Sequence, residues 1–491
     1  MKKKIILTTA ALMLFASAGL FAATLYVGTA GTPGGSYYTE IQAAVDAAVA
    51  GDLILVSNGI YNTGGTSGED GVSPTTNRVL CAKAVEIRSL DGPDSTFIVG
   101  APDAGTGGNG PGAVRCVCFS WNSGATLSGF TLTNGYTLTT GDSNREQGGG
   151  GARIRLNGVI TNCIIIGNHG YGRGGGLNLQ SGKAYDCQII NNIAEANTGG
   201  GVFAQRADGV NTPGIYNCII ADNNAVNENG GGVYGYDGVN IYNTTISGNR
   251  CGTAVNVGKG GGVFLLNRGE VQDCIIVSNT AHLWGGGINT EGSPGAIVSR
   301  CNIQYNNTET HGGGGAMLYN YGEIHDSLIS ENNSGTHAGG VYFVSGGTVY
   351  NCTIVINHAG GNGGGIAVDT SCTIANSIIL DNTVDGSDPN WSKGPGGTAV
   401  YNCSLPALSG DGNIGTNNAY FVNASAKNWR LTSVSPCVNA GTNAYASSLD
   451  LDGHPRISGD IVDMGCYEFI PEPSLLIGFI SLFGFAFLRR K

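Results

Sequence analysis

The sequence predicts an all-β chain wound into a right-handed parallel β-helix solenoid, with a capping helix at its N-terminal end and a β cap at its C-terminal end. Three observations predict it. A short phrase built from a small residue, an isoleucine two residues later and an asparagine five residues later returns nine times. A run of glycines followed by an apolar residue returns with it, as in Gly199-Gly200-Gly201-Val202 and Gly260-Gly261-Gly262-Val263. Nothing between the repeats carries the 3.6-residue period of a helix.

The N-terminal end comes first. Lys2, Lys3 and Lys4 precede an apolar run from Ile5 to Phe15, and Ala16-Ser17-Ala18 offers a small-x-small cleavage site. This reads as an export leader, taken as residues 1–23, with cleavage after Ala22 or Ala23 as the alternative. Residues 24–62 form an N-terminal cap and first coil. Within them Ile41 to Tyr61 gives an Ala-rich helix, a Gly51-Asp52 stop and a strand.

The solenoid occupies residues 63–419. With the small residue as position zero, the repeats fall at Cys163, Cys187, Cys218, Thr244, Cys274, Cys301, Ser327, Cys352 and Ser377. Position +2 is Ile in all nine. Position +5 is Asn168, Asn192, Asn223, Asn249, Asn279, Asn306, Asn332, Asn357 and Asn382. Asparagine makes up 47 of 491 residues, so nine in nine is a constraint and not a coincidence. Positions zero and +2 share one face of a strand. Position −3 is almost always apolar too, an odd step away, so the chain must bend between −3 and zero. Position −1, at that bend, is Asn or Asp in eight repeats, and these residue types tolerate left-handed backbone. Three strands and three corners of about 26 residues then make one coil, and only stacking buries its apolar face. The +5 asparagines are expected to form an amide ladder. About 13 coils at roughly 4.8 Å give a rod near 60 Å long. Leucine-rich repeats are the rival architecture, but their Leu spacing is missing.

Residues 420–470 break the period and read as the C-terminal cap. Beyond them, Pro471-Glu472-Pro473 leads into an apolar run from Leu475 to Leu488 and a basic Arg489-Arg490-Lys491 end. Fourteen apolar residues are short for a span of roughly 20. A basic stop behind them still fits a tail held in the inner membrane.

Resemblances to known families extend this reading. Ile41–Tyr61 resembles the capping helix and first coil of the pectin-lyase-like superfamily. The glycine-rich repeats are similar to polymorphic-outer-membrane-protein repeats, with Ile in place of an aromatic residue. Ser435-Pro436, Asn439-Ala440-Gly441, Asp450, Asp452-Gly453, Pro455-Arg456, Asp463, Gly465 and Tyr467-Glu468 resemble the choice-of-anchor Q domain, with Cys437 and Cys466 where that family commonly has Ala. Residues 471–491 resemble the PEP-CTERM sorting signal. That resemblance implies an exosortase-type partner, transient anchoring in the inner membrane and delivery to the cell surface or its matrix. A plain C-terminal anchor is the alternative.

Function is less legible. Net charge −11 argues against nucleic acid, whose phosphates need clustered Lys and Arg. No cofactor motif and no Cys/His metal spacing occurs, so no cofactor and no metal is expected. Seven of the 14 cysteines sit at the inward zero position and read as buried free thiols, whereas Cys437 and Cys466, in the cap and outside the ladder, are expected to form a disulfide in an oxidising compartment. Asp450, Asp452, Asp460 and Asp463 are closely spaced around Gly453, but the EF-hand loop pattern is absent. Catalytic residues are not identifiable. The Asn-Thr-Asp, Asp-Asp and Gly-His-Gly signatures of polygalacturonases are missing, and no acidic cluster recurs at one coil position. Tyr185, Tyr216, Tyr242, Tyr350 and Tyr401 share position −2, where rings one coil apart either stack on sugars or simply cover the corner. The expectation is an exported, surface-sorted rod with a structural, adhesive or polysaccharide-binding role. The alternative is a lyase or hydrolase acting on acidic polysaccharide.

Overall fold

The computed structural model describes residues 22–28, 36–121, 123–392 and 396–471. All but the last two residues of the expected leader, and the sorting tail beyond Pro471, lie outside the described residues. No helix among those described is long and apolar enough to cross a membrane.

The chain is a right-handed parallel β-helix. Its strands build four long parallel sheets of 15, 14, 12 and nine strands, and from Val159 to Ser392 each coil adds one strand to each sheet in turn. Registers are strict: Ile165, Ile189, Ile220 and Ile246 lie directly above one another in the second sheet. All nine isoleucines at +2 are fully buried, each contributing about 1.5–3 kcal/mol. The helix Ile41–Ala47 turns Ile41, Ala44 and Val45 onto the first coil, and Thr24–Val27 pairs with Leu53–Val56. The sequence indicates three strands per coil, whereas the structure has a fourth. It is the two-residue strand after each ladder asparagine, as at His169–Gly170 and Ile193–Ala194. Two residues are too few to show a period.

Three left-handed corners shape each coil. Position −1 has positive φ in all nine repeats, from Asn162 to Asn376, and Arg300 is the one residue there that is neither Asn nor Asp. A second corner lies at +4, where φ is positive whether the residue is Gly167, Asn191, Tyr305 or Ile356. The third is the first glycine of each triplet, such as Gly199 at φ 75°. The next two glycines serve close approach: a Cβ on Gly200 would lie 2.4 Å from the carbonyl oxygen of Gly231 on the adjacent coil.

The corner at −1 also explains position zero. Each residue there donates from its side chain to the carbonyl two residues earlier: Cys187 Sγ to Tyr185 at 3.1 Å, Thr244 Oγ1 to Tyr242 at 2.9 Å, Ser327 Oγ to His325 at 2.8 Å. A small side chain with one donor is what the site selects, so Cys, Thr and Ser interchange.

The C-terminal region does more than close the last coil. It folds back along the outward face of the second sheet. Trp429, Leu431, Cys437, Met464 and Cys466 pack on Leu328, Val355, Ile378 and Leu380. Asn376 Nδ2 donates to the Thr442 carbonyl at 2.9 Å and Asn351 Nδ2 to that of Tyr445 at 2.9 Å. The solenoid end itself carries Leu408, buried in the main core. This packing corrects the expectation of a Cys437–Cys466 disulfide. Both are buried free thiols, because each turns toward the solenoid: Cys437 onto Cys403, and Cys466 onto the Cys352–Thr353 strand.

Candidate functional site

The nine ladder asparagines are buried inside the second corner, not displayed at an edge. Asn168 Nδ2 donates to Asn192 Oδ1 at 3.0 Å, and the same bond repeats through Asn223, Asn249, Asn279, Asn306, Asn332 and Asn357 to Asn382. From Asn192 onward each Oδ1 also accepts the backbone N–H of the preceding ladder residue, as Asn279 Oδ1 does from Asn249 N at 3.0 Å. Asn168 begins the column by accepting from Gly135 N at 2.9 Å. Asn390, only eight residues after Asn382, ends it by accepting at 3.0 Å and donating to the Leu405 carbonyl at 2.7 Å. Every polar atom is spent, so the ladder is structural.

The tyrosines of position −2 fall into two sets. Tyr185 and Tyr216 stack on each other at 4.8 Å and 14°, and Tyr242 meets Tyr216 edge-on at 5.6 Å. Their faces are largely used by one another, which leaves edges to solvent. Tyr350 stacks on His325 at 4.7 Å and is covered by Tyr445, while Tyr401 packs against the folded-back C-terminal region. The structure therefore brings three of the five together and covers the other two.

A better-formed site lies on the outer face of the third sheet, the 12-stranded one. In Val202–Gln205, Val233–Tyr236 and Val263–Leu266 the second residue points outward, and Phe203, Tyr234 and Phe264 stack at 5.6 and 4.9 Å. All three rings are buried. Two coils further along, the face opens into a cleft of about 510 Å³. Trp284, from the loop before one strand, lies parallel to Tyr342 from another at 5.3 Å and 8°. Tyr319 stands exposed at the rim. Lys259 Nζ pairs with Glu291 Oε1 at 2.8 Å, and Tyr342 Oη donates to Asp369 Oδ2 at 2.5 Å. Burial, reinforced by that hydrogen bond to Asp369, raises the Tyr342 hydroxyl well above its ordinary value. His311, packed on Trp284 at 4.6 Å, is held below the ordinary imidazole value, first by burial and then by the nearby charges of His282 and His337.

This is an arrangement for binding. Planar rings supply an apolar platform, and fixed Lys, Glu and Asp groups supply directional contacts. Glycoside hydrolysis needs two carboxyl groups about 5–9.5 Å apart across the bond. Glu291 and Asp369 are three coil steps apart, about 14 Å of backbone, and each is already committed to a partner.

Sequence reasoning missed these residues because Lys259, Trp284, Tyr319, Tyr342 and Asp369 lie on different coils, and even where two share a repeat position, as Lys259 and Trp284 do, they share no chemistry. One signal was available: the residue after each post-glycine apolar position runs Phe203, Tyr234, Phe264, Asn289, Met317, Tyr342.

Elsewhere, burial pushes the thiols of Cys116, Cys118 and Cys251 up to about 12. In the C-terminal region Asp450, Asp452 and His454 converge. However, Asp450 accepts from the amides of His454 and Glu468 at 2.7 and 2.9 Å, and Asp452 is held by both arms of Arg430 at 2.6 and 2.5 Å. Those bonds account for the cluster.

No family model matches the chain, and no curated protein does. Among solved structures it is similar to pectate lyase Pel9A, at 14% identity and TM-score 0.43, over 92% of this chain and 97% of that one. It is similar to the A-module of mannuronan C-5 epimerase AlgE4 from Azotobacter vinelandii, at 14% and 0.33, over 73% and 94%. The Dettilon tailspike protein matches at 15% and 0.36, over 80% and 68%. These are likenesses of fold alone.

Proposed function

We propose that the protein is an exported, surface-sorted β-helix that binds polysaccharide in the cell envelope or extracellular matrix without cleaving it. The observation that carries this reading is the cleft formed by Trp284, Tyr319 and Tyr342, with Lys259, Glu291 and Asp369 at fixed positions around it. The export and sorting part rests on sequence: the 1–23 leader, the resemblance of residues 420–470 to a choice-of-anchor Q domain, and the Pro471-Glu472-Pro473 tail with its implied exosortase.

The test uses the segment from Thr24 to Ile470 against immobilised neutral and acidic polysaccharides. Retention is followed together with release of reducing ends or unsaturated products. Retention that Trp284→Ala weakens, without turnover, is the expected result. Turnover overturns the non-catalytic reading, and absence of retention on every polymer overturns the binding reading.

A further inference from the structure

The Trp284 cleft has a charge as well as an aromatic platform, and the sign of that charge selects among polysaccharides. The register of the third sheet puts Glu291, Tyr319, Val344 and Asp369 in one outward column. A carboxylate therefore stands at each end, three coil steps or about 14 Å apart, with an exposed ring and an apolar side chain between them. Lys259 is the one cation among the described residues that line the space, and it is already taken. Its Nζ pairs with Glu291 at 2.8 Å. It also faces Glu228, whose carboxyl is raised above its ordinary value by burial, with Lys259 pulling the other way. Of the arginines on neighbouring coils, Arg268 pairs with Asp237 at 3.4 Å and Arg173 lies over Phe203 at 5.0 Å. Neither lines the cleft. Two imidazoles pack on the ring pair, His311 on Trp284 at 4.6 Å and His337 on Tyr342 at 5.9 Å. Burial first, and then the charges of His282 and His337, keep His311 below the ordinary imidazole value, so it adds no charge at neutral pH.

Both carboxylates keep an acceptor for a ligand. Glu291 spends Oε1 on Lys259 and Asn289, and Asp369 spends Oδ2 on Tyr342. The second oxygen of each has no partner among the described residues. A carboxylate only accepts and a sugar hydroxyl donates, so each can hold a sugar by its edge while the C–H face lies on an aromatic ring. A uronate or sulfate group in the same place would meet like charge at both ends and find no free cation. We infer that the Trp284 cleft takes a polysaccharide of neutral sugars and excludes acidic ones. The inference rests on the polysaccharide reading and narrows it.

The experiment takes each neutral polymer that the Thr24–Ile470 protein retains. It compares that polymer with the same polymer after part of its primary hydroxyls has been oxidised to carboxylates, and with an amino-sugar polymer. Retention is measured at low and high salt and at pH 8, where an ordinary imidazole is uncharged. The expected result is retention of the carboxylated form about tenfold weaker at low salt, with the gap closing as salt screens it. The whole chain carries −11, so exclusion by itself does not locate the effect. Glu291→Gln leaves Lys259 without that partner, and Asp369→Asn removes the other charge while keeping an acceptor for Tyr342. Each should narrow the gap to about threefold. Retention of acidic polymers alone, or a carboxylated polymer held as tightly as its parent, overturns the inference and leaves the polysaccharide reading standing. Tighter retention of the amino-sugar polymer than of any neutral one does the same, by making the ligand cationic. A gap that neither variant moves overturns the assignment to this cleft. No retention of any polymer overturns the polysaccharide reading and the inference together.

Discussion

Arg456 and Asp326 form an ion pair at 3.4 Å with both side chains fully buried, and it joins the folded-back C-terminal region to the solenoid. Arg456 also donates to the carbonyls of Asp463 and Gly465, each at 3.0 Å. Asp326 additionally receives Asn351 Nδ2 at 3.1 Å and meets His325 Nδ1 at 2.6 Å. Removing one partner of a buried pair costs about 3–5 kcal/mol because the other charge is stranded. Asp326→Asn keeps the left-handed corner, which Asn adopts readily, and removes only the charge. Its first thermal transition should be destabilised by about that amount, with early proteolysis inside residues 420–470. The double variant Asp326→Asn, Arg456→Met should recover much of the loss.

Asn279 bonds to both neighbours in the ladder. Its Nδ2 donates to Ile246 O at 2.9 Å and Asn306 Oδ1 at 3.0 Å, and its Oδ1 accepts two N–H groups of Asn249. Asn279→Ala leaves several buried polar groups short, at about 1–3 kcal/mol for each left unsatisfied. Chemical denaturation should show a loss of at least about 3 kcal/mol on that basis. The same change at exposed Asn333, outside the ladder, should cost little.

Ile356 sits at the +4 corner with φ 56°, and its side chain is 41% exposed. A β-branched residue is poorly suited to left-handed backbone, which costs about 1–2 kcal/mol. Ile356→Asn should therefore stabilise the protein by about 1 kcal/mol, seen as a higher melting temperature.

The two aromatic sets make opposite predictions. Trp284→Ala should weaken polysaccharide retention about tenfold, the scale of one lost ring contact. Tyr216→Ala should change it less than about twofold, because its faces are turned to Tyr185 and Tyr242. The reverse ranking would move the binding site to the first sheet.

Glu468 is raised to about 7, first by burial and then by the neighbouring charge of Asp463. A carboxyl that holds its proton more tightly when folded stabilises the folded form below its unfolded value of 4.5, and that stability is lost as pH rises through about 7. Melting of the C-terminal region should therefore shift downward between about pH 4.5 and 7. Glu468→Gln should show a shallower dependence over the same window.

The solenoid was legible because its period is written in side chains that each do one job. Ile at +2 fills the core, Asn at +5 bonds the coils, and Asn or Asp at −1 turns left-handed. The +4 corner was not legible, since Gly167, Tyr305 and Ile356 share a conformation and no chemistry. Its geometry is imposed by the ladder residue beside it. The C-terminal cysteines were expected to pair because both lie in the cap, outside the ladder, whereas the solenoid wall is a larger apolar surface and takes both.

Asn390 gives the rod a fixed end and an elastic middle. Every interior rung of the amide column donates forward to the next asparagine and back to a carbonyl of the preceding coil, so such a coil resembles its neighbour and a copied coil finds its bonds already waiting. The last rung has no such successor, and Asn390 closes it from a loop of the same coil. Growth or shrinkage by whole repeats is therefore cheap between Asn168 and Asn279, away from the coils that carry the C-terminal region, while loss of the short loop that carries Asn390 would leave the last rung without its partner. Length in such a molecule is free to drift over generations, and the terminator is the part that selection must keep.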